Sequence, residues 1–169
     1  MIVRLEAPVD RDLSVQVERE AFETPEEPRI VEAVRDVPGS FALVAEENGE
    51  IVGHVQLSVA TVGSDEVLAL GPIGVRPARQ RQGIGTTLVA AALEEARTRG
   101  ATAVILLGDP SYYGTRGFEP AAAFGLHNPF AGVMEDGFVI AEEDLQIAIL
   151  DADRVTTLAG DVRWHPAFG

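Results

Sequence analysis

Between Val67 and Gly100 the chain passes from a buried strand, through a basic loop with glycines, into a helix, and that succession limits what the remainder can build. Val67-Leu68-Ala69-Leu70 is an apolar run, and Gly71-Pro72-Ile73-Gly74-Val75 continues it as a strand with a flaw near its end. Pro77 stops the strand, because it has no N–H to give a neighbour and restricts the residue before it. Arg79-Gln80-Arg81-Gln82 then lead into Gly83-Ile84-Gly85. From Ile84 onward, Leu88, Ala92, Leu93 and Ala96 recur at helical spacing, so one face of the helix is apolar. Gly100, just after Arg97 and Arg99, closes it.

A strand, a basic loop and a helix start make an anion site. The first N–H groups of a helix have no internal partner, and the helix dipole adds partial positive charge there. Glycines let those groups approach a phosphate with no Cβ between, and Arg79 and Arg81 offer counter-charge. The stretch reads as a pyrophosphate cradle, although an ordinary strand-to-helix connection has the same glycine spacing. Two phosphate motifs do not fit. A Walker loop needs a lysine, and all 13 basic residues here are arginine. The dinucleotide fingerprint needs a third glycine where Leu88 stands, and a strand leading directly into the first.

The pattern Gln80-x-x-Gly83-x-Gly85, within the longer V-x-P-x-x-Q-x-x-G-I-G-x-x-L, resembles the acetyl-CoA loop of the GNAT superfamily of N-acetyltransferases. Tyr113, Gly117 and Phe118 repeat the Tyr-x-x-x-Gly-Phe spacing that follows the fifth strand in that superfamily. Their surroundings, GDPSYYGTRGFEPA, are similar to its bacterial YhbS-like branch. The resemblance is weaker before Phe41 and after Gly125. It implies an α/β fold of the GNAT kind: a mixed, mostly antiparallel sheet, splayed at the cofactor site, with helices on both faces. It implies acetyl-CoA as co-substrate, held by Gln80, Arg81, Gln82, Gly83, Ile84, Gly85 and Thr86. It also implies that the backbone of Ile73, Gly74 and Val75 holds the pantetheine arm and polarises the thioester carbonyl. The residues agree with the last point, since Gly71, Pro72 and Gly74 suit a bulge better than a central ladder.

A chain of 169 residues with 46% hydrophobic content is expected to form one domain, residues 1–169, with its own core. Without cysteine there is no disulfide framework, thiolate metal site or cysteine nucleophile. A formal charge of −14 argues against nucleic-acid partners, whose phosphates it repels. It would favour cationic acceptors, but solubility or adaptation to a salty cytoplasm is the plainer reading of the acidity and the missing lysine. No stretch is long and apolar enough for a bilayer, and residues 1–30 are too acidic for a secretory signal, so the expected compartment is the cytoplasm. A homodimer is left open.

The rest of the chain supplies the scaffold. Ile2-Val3-Arg4-Leu5 alternates like an edge strand. Pro8 to Phe22 reads as a helix capped by Asp10 or Asp12, with Leu13, Val17, Glu20 and Ala21 at helical spacing. Thr24-Pro25 opens a second helix with Thr24 as cap and Glu27 three residues later. By the resemblance these helices line the acceptor groove, which brings Glu20, Phe22 and Glu26 towards substrate; a solvated acidic surface is the plainer reading. Asn48-Gly49 signals a hairpin between strands 41–46 and 51–60. His54 lies on the second strand with no other ligand at metal spacing, and reads as a surface or hydrogen-bonded sheet residue. Ala103 to Leu107 suits a strand buried on both faces. Leu145 to Leu150 is a further strand, and Trp164 and Phe168 are expected to dock on the sheet.

Amine acetylation needs a neutral amine and a proton for the departing thiolate. A tyrosine with a pKa of ~10 keeps its proton at neutral pH and can give it to a thiolate as it forms, which makes Tyr113 the general-acid candidate. Many superfamily members carry a glutamate in the strand before the loop. Here Leu68, Ala69 and Leu70 fill that region, leaving Glu66, acting through water, as the nearest base. The expected function is acetyl-CoA-dependent transfer of an acetyl group to a primary amine of a small molecule or peptide, directly in a ternary complex. A non-catalytic acyl-CoA-binding or regulatory module is the alternative. No metal is expected.

Overall fold

The computed structural model describes residues 1–134, 137–155 and 158–169. The chain divides into two compact units. The first comprises Met1–Val59, Leu70–Glu95 and His165–Gly169, and the second Ala60–Ala69 and Ala96–Trp164.

The first unit opens with β1 (Ile2–Leu5), a 3-10 turn at Pro8–Asp10, and the helices α1 (Arg11–Phe22) and α2 (Glu26–Val34). Strands β2 (Phe41–Glu47) and β3 (Glu50–Val62) follow, then β4 (Asp65–Val75), and the helix α3 begins at Ile84 and ends at Thr98. Strand order in this unit is β1-β2-β3-β4. The hairpin closes at Glu47 and Glu50, with Asn48 at φ 53° and Gly49 at φ 82°. Two successive positive φ values are what a two-residue turn needs to match the strand twist, and Asn-Gly adopts them at little cost. Strand β1 pairs antiparallel with β2, from Ile2 opposite Glu46 to Leu5 opposite Leu43.

Helix α1 starts later than the sequence suggests; Asp10 stands at its N-cap position, but its side chain makes no capping hydrogen bond to the helix. The Asp10 carboxylate turns back to accept the Ala7 N–H at 2.8 Å and Arg4 Nη1 at 2.6 Å, while Arg4 Nη2 also reaches Glu46 at 2.8 Å. An acidic residue at a helix entry serves here as a joint between β1, β2 and the helix. Thr24 likewise does not cap α2; its hydroxyl bonds the Glu27 carboxylate, and the helix starts one residue after Pro25. The buried face of α1 is Ser14, Val15, Val17 and Glu18, whereas Leu13 is exposed.

The second unit is built on β5 (Ala103–Leu107). It pairs parallel with β4, Leu68 opposite Val104 and Ala69 opposite Ile105. On its other side it pairs antiparallel with β9 (Leu145–Ile149), from Ala103 opposite Ile149 to Leu107 opposite Leu145. With neighbours on both edges, Ala103, Val104 and Ile105 are wholly buried, as the unbroken apolar run requires. The short helix α4 (Pro110–Tyr113) follows β5. Strand β6 (Glu119–Pro120) lies on β9; β7 (Gly132–Val133) and β8 (Val139–Ile140) form a separate ribbon; β10 (Val162–Arg163) pairs with the end of β3. The sheet is thus mixed and mostly antiparallel. Val62, Val67, Ile105, Leu126, Leu145 and Ile147 form the core, with Trp164 packed against it. Phe168 instead lines a groove along α2 with Ile30 and Ala33.

Candidate active site

The loop after β4 is fixed by its own side chains. Arg76 donates its backbone N–H to the Val52 carbonyl at 2.9 Å and its Nε to the Ile51 carbonyl at 2.8 Å. Its Nη1 reaches both carboxylate oxygens of Glu20, at 2.9 and 3.0 Å, which ties the loop to α1. Gln80 Nε2 donates to the Val75 carbonyl at 3.0 Å, and Gln82 Nε2 to the Ala78 carbonyl at 3.2 Å. Arg79 pairs with Glu47, which holds the Glu47 carboxyl below its usual range, so this arginine is already neutralised. Arg81 is exposed and stands at φ 60°.

Gly83, at φ 84°, makes the turn into α3, and its carbonyl accepts the Thr87 N–H at 3.0 Å. Nothing among the described residues lies within 4 Å of where a Gly83 Cβ would stand. Space is therefore open at the helix start, and glycine is required there by φ. Ile84 is buried, while Gly85 is half-buried and Thr86 exposed. Gly53 seats this helix end, because a Cβ on it would come within 2.9 Å of Leu88 and 3.0 Å of Ile84. An open helix N-terminus with an exposed arginine beside it fits the diphosphate of a CoA nucleotide.

On β4, Ile73 and Val75 are half-buried and Gly74 is buried. A Cβ at Gly74 would approach Glu18 Oε2 to 2.7 Å and the Ala21 Cβ to 3.2 Å, so glycine is needed there for space. Glu18 Oε1 lies 2.6 Å from His54 Nδ1, and both side chains are wholly buried. His54 is thus a hydrogen-bonded sheet residue, while Glu18 gives no sign of its burial in an acidic helix. The one available clue is its helical phase: Ser14, Val17, Glu18 and Ala21 share a face.

In the second unit, Asp109 caps α4 by accepting the Ser111 N–H at 2.7 Å. Tyr113 is half-buried, and its ring packs edge-on against Tyr112 at 4.9 Å and Phe118 at 5.7 Å between centroids. Gly108 makes room for it, since a Cβ there would fall 2.3 Å from the Tyr113 ring. Burial, helped by Tyr112 and opposed by Arg116, pushes the Tyr113 hydroxyl up to about 12, so it keeps its proton throughout the neutral range. Tyr112 is more exposed and lies under the Arg116 guanidinium, 3.6 Å from its ring centroid. Glu66 sits exposed at the head of β4, its carbonyl 3.5 Å from the Thr102 hydroxyl. Glu26 and Phe22 are exposed and Glu20 is taken up by Arg76. Among the described residues no group of three or more His, Asp or Glu could hold a metal ion, and no helix is long and apolar enough to cross a membrane.

The acetyltransferase (GNAT) family profile matches residues 11–118. The uncharacterized N-acetyltransferase YhbS of Escherichia coli K12 is 29% identical over 172 residues, spanning 99% of this chain and 98% of its own. The crystal structure of YhbS from Escherichia coli in complex with CoA superposes with a TM-score of 0.88 at 28% identity, over 99% of this chain and 91% of that one. A GNAT family acetyltransferase from Brucella melitensis in complex with acetyl-CoA gives a TM-score of 0.76 at 30% identity, over 99% and 97%. This chain therefore belongs to the GNAT acetyltransferase family and is an N-acetyltransferase.

Proposed function

We propose that the protein, acting as one domain over residues 1–169, transfers an acetyl group from acetyl-CoA to a primary amine of a small molecule or peptide in a ternary complex. The observation that carries this is the open, positive-φ turn at Gly83 before α3, in a loop whose side chains bond their own carbonyls. Crystal structures of similar proteins with CoA and acetyl-CoA support the choice of ligand. Gln80, Arg81, Gln82, Gly83, Ile84, Gly85 and Thr86 form the diphosphate cradle, and the backbone of Ile73, Gly74 and Val75 receives the pantetheine arm.

Acetyl-CoA, when bound, supplies the acetyl group as a thioester and departs as a thiol. Tyr113 holds a proton at Oη for the departing sulfur. Its raised pKa makes it a weaker acid than an ordinary tyrosine, so it gives up that proton only as negative charge builds on its partner. A backbone N–H aimed at the developing oxyanion contributes about 2.7–4 kcal/mol in well-studied acyl-transfer sites, and the Ile73–Val75 segment is assigned that part. Glu66 is assigned the amine proton, through water. With no cysteine in the chain, transfer passes through no cysteinyl intermediate.

Release of free CoA from acetyl-CoA in the presence of polyamines, amino acids, aminoglycosides and peptides tests the reading. Release that depends on one amine class is expected. Tight acetyl-CoA binding with no release across all classes would point instead to the non-catalytic module. The reading needs no nucleic acid, membrane or metal, and cytoplasmic residence accords with a CoA substrate.

A further inference from the structure

Three arginines stand in the loop before Gly83, and they are differently placed to meet an anion. Arg76 is committed to the scaffold, with Nε on the Ile51 carbonyl and Nη1 on both oxygens of Glu20. Arg81 is exposed. Arg79 lies between these extremes: its Nε donates to Gln82 Oε1 at 3.2 Å, and its Nη1 pairs with Glu47 Oε2. Gln82 immediately precedes Gly83, so the guanidinium is held beside the open helix start. Glu47 ends β2, and its register partner across the hairpin is Glu50, which opens β3. The hairpin therefore brings an acidic end to a basic loop. The two paired side chains are 29% and 26% exposed, and an ion pair this open to water contributes little to folding. Nor is the pair needed to shape the loop, which Arg76, Gln80 and Gln82 already tie to backbone carbonyls.

We propose that Glu47 is a built-in competitor for the diphosphate of CoA: Arg79 passes from the Glu47 carboxylate to the cofactor when it binds, and returns when it leaves. The inference rests on the acetyl-CoA reading above. A guanidinium presents a flat fork of N–H donors that takes phosphate oxygens as readily as carboxylate ones. The diphosphate carries more charge than one carboxylate, and at the helix start the first N–H groups add their own attraction. Phosphate therefore displaces Glu47 when it is present, but by a smaller margin than if Arg79 had no carboxylate to leave. That smaller margin has two uses. An arginine without a carboxylate beside an open helix start would gather any small phosphate, whereas a paired one yields only to a ligand that also engages the rest of the site, which is how a competing contact produces specificity. Glu47 is also placed to take Arg79 back as CoA departs, so the loop holds the product less tightly at the end of each turnover.

The test titrates CoA calorimetrically into the wild type and into Glu47→Gln, Glu50→Gln and Arg79→Gln. Glutamine keeps the size of Glu47 and removes its charge. At low ionic strength Glu47→Gln should bind CoA about five- to tenfold more tightly, with a smaller gain at high salt. Glu50→Gln removes the same charge from the hairpin end but leaves Arg79 its partner, and should change affinity by about twofold or less. Arg79→Gln should weaken binding about fivefold. Dephospho-CoA, which keeps the diphosphate and lacks the 3′-phosphate, should show the same gain in Glu47→Gln. A second measurement uses the wild type alone. Arg79 holds the Glu47 carboxyl below its usual range, and in carbon NMR titrations saturating CoA should return it to that range. Unchanged affinity in Glu47→Gln, an equal gain in Glu50→Gln, Arg79→Gln binding CoA as the wild type does, or a gain absent with dephospho-CoA would each overturn the exchange. So would a Glu47 carboxyl that stays low under saturating CoA. Failure of the parent reading looks different, because neither the wild type nor any variant would then bind CoA.

Discussion

The loop from Arg76 to Gly85 and the segment from Gly108 to Phe118 are each assigned a part in the proposed reaction, and they are built in opposite ways. In the loop the proposed binding surface is the backbone. Gln80 and Gln82 spend their amides on carbonyls of the loop and the strand end, Arg79 is paired with Glu47, and Gly83 opens onto space. In the tyrosine segment the backbone is only a holder. Asp109 caps a single turn of helix, Gly108 lacks a side chain so that a ring can lie on it, and one hydroxyl carries the proposed chemistry. The loop should therefore be sensitive to added carbon and indifferent to most lost side chains. The tyrosine segment should be sensitive to the loss of a single oxygen.

Removing that oxygen gives the largest expected effect. Tyr113→Phe should lower turnover by about 10²–10⁴-fold with little change in the Michaelis constant for acetyl-CoA, the mark of an interaction made in the transition state. Tyr112→Phe should change turnover little; if it carries the loss instead, the segment is right and the residue wrong. The pH profile sharpens the point. Burial raises the Tyr113 pKa to about 12, so the alkaline fall in turnover should lie near there. A fall centred near the ordinary tyrosine value of ~10 would mean that the hydroxyl is solvated during turnover.

The loop should respond to bulk. Gly83→Val puts a branched side chain at φ 84°, where a left-handed conformation costs roughly 1–2 kcal/mol. It should abolish the rise in melting temperature that acetyl-CoA gives, since that rise reflects binding to the folded state alone. Undiminished CoA affinity in Gly83→Val would put the cradle elsewhere.

Asp10→Asn, distant from both segments in role, sets the scale for a purely structural ion pair. It should cost about 1–3 kcal/mol at neutral pH in urea unfolding. The Arg4 hydrogen bond holds the Asp10 carboxyl below its ordinary value, so its stabilisation is present above that value, ~3.9, and is lost as pH falls through the lower folded pKa. The variant should lack that part of the acid slope; an unchanged slope would mean that Arg4 and Asp10 separate in solution. The smallest effect belongs to Arg81→Ala, which should weaken CoA binding only severalfold and less at high salt, as an exposed charge does. A loss as large as that of Gly83→Val would contradict the division between backbone and side chain.

Much of this was legible in the residues, because their local chemistry and their final use coincide. Asn48-Gly49 needs positive φ and the hairpin provides it. Ala103 to Leu107 is apolar throughout and is paired on both edges. Gly83 stands at a helix start, where glycine is useful for its own sake. What escaped reading depends on partners distant in sequence. Glu18 is one of several acids on an acidic helix, and only its contact with His54, 36 residues on, distinguishes it from the solvated ones. Hydrophobic spacing chose Leu13 for the inner face of α1, yet Ser14 and Glu18 occupy it, because a paired charge can be buried where an unpaired one cannot. Asp10 and Thr24 carry the usual cap chemistry, but Arg4 and Glu27 claim them first.

Amide hydrogen exchange with and without saturating acetyl-CoA tests the central claim most directly, because the cradle and the arm site are both backbone surfaces. The expected result is new protection at residues 73–75 and 80–86, with the tyrosine segment protected less. Saturating binding that leaves those amides exchanging at their unliganded rates would contradict the account.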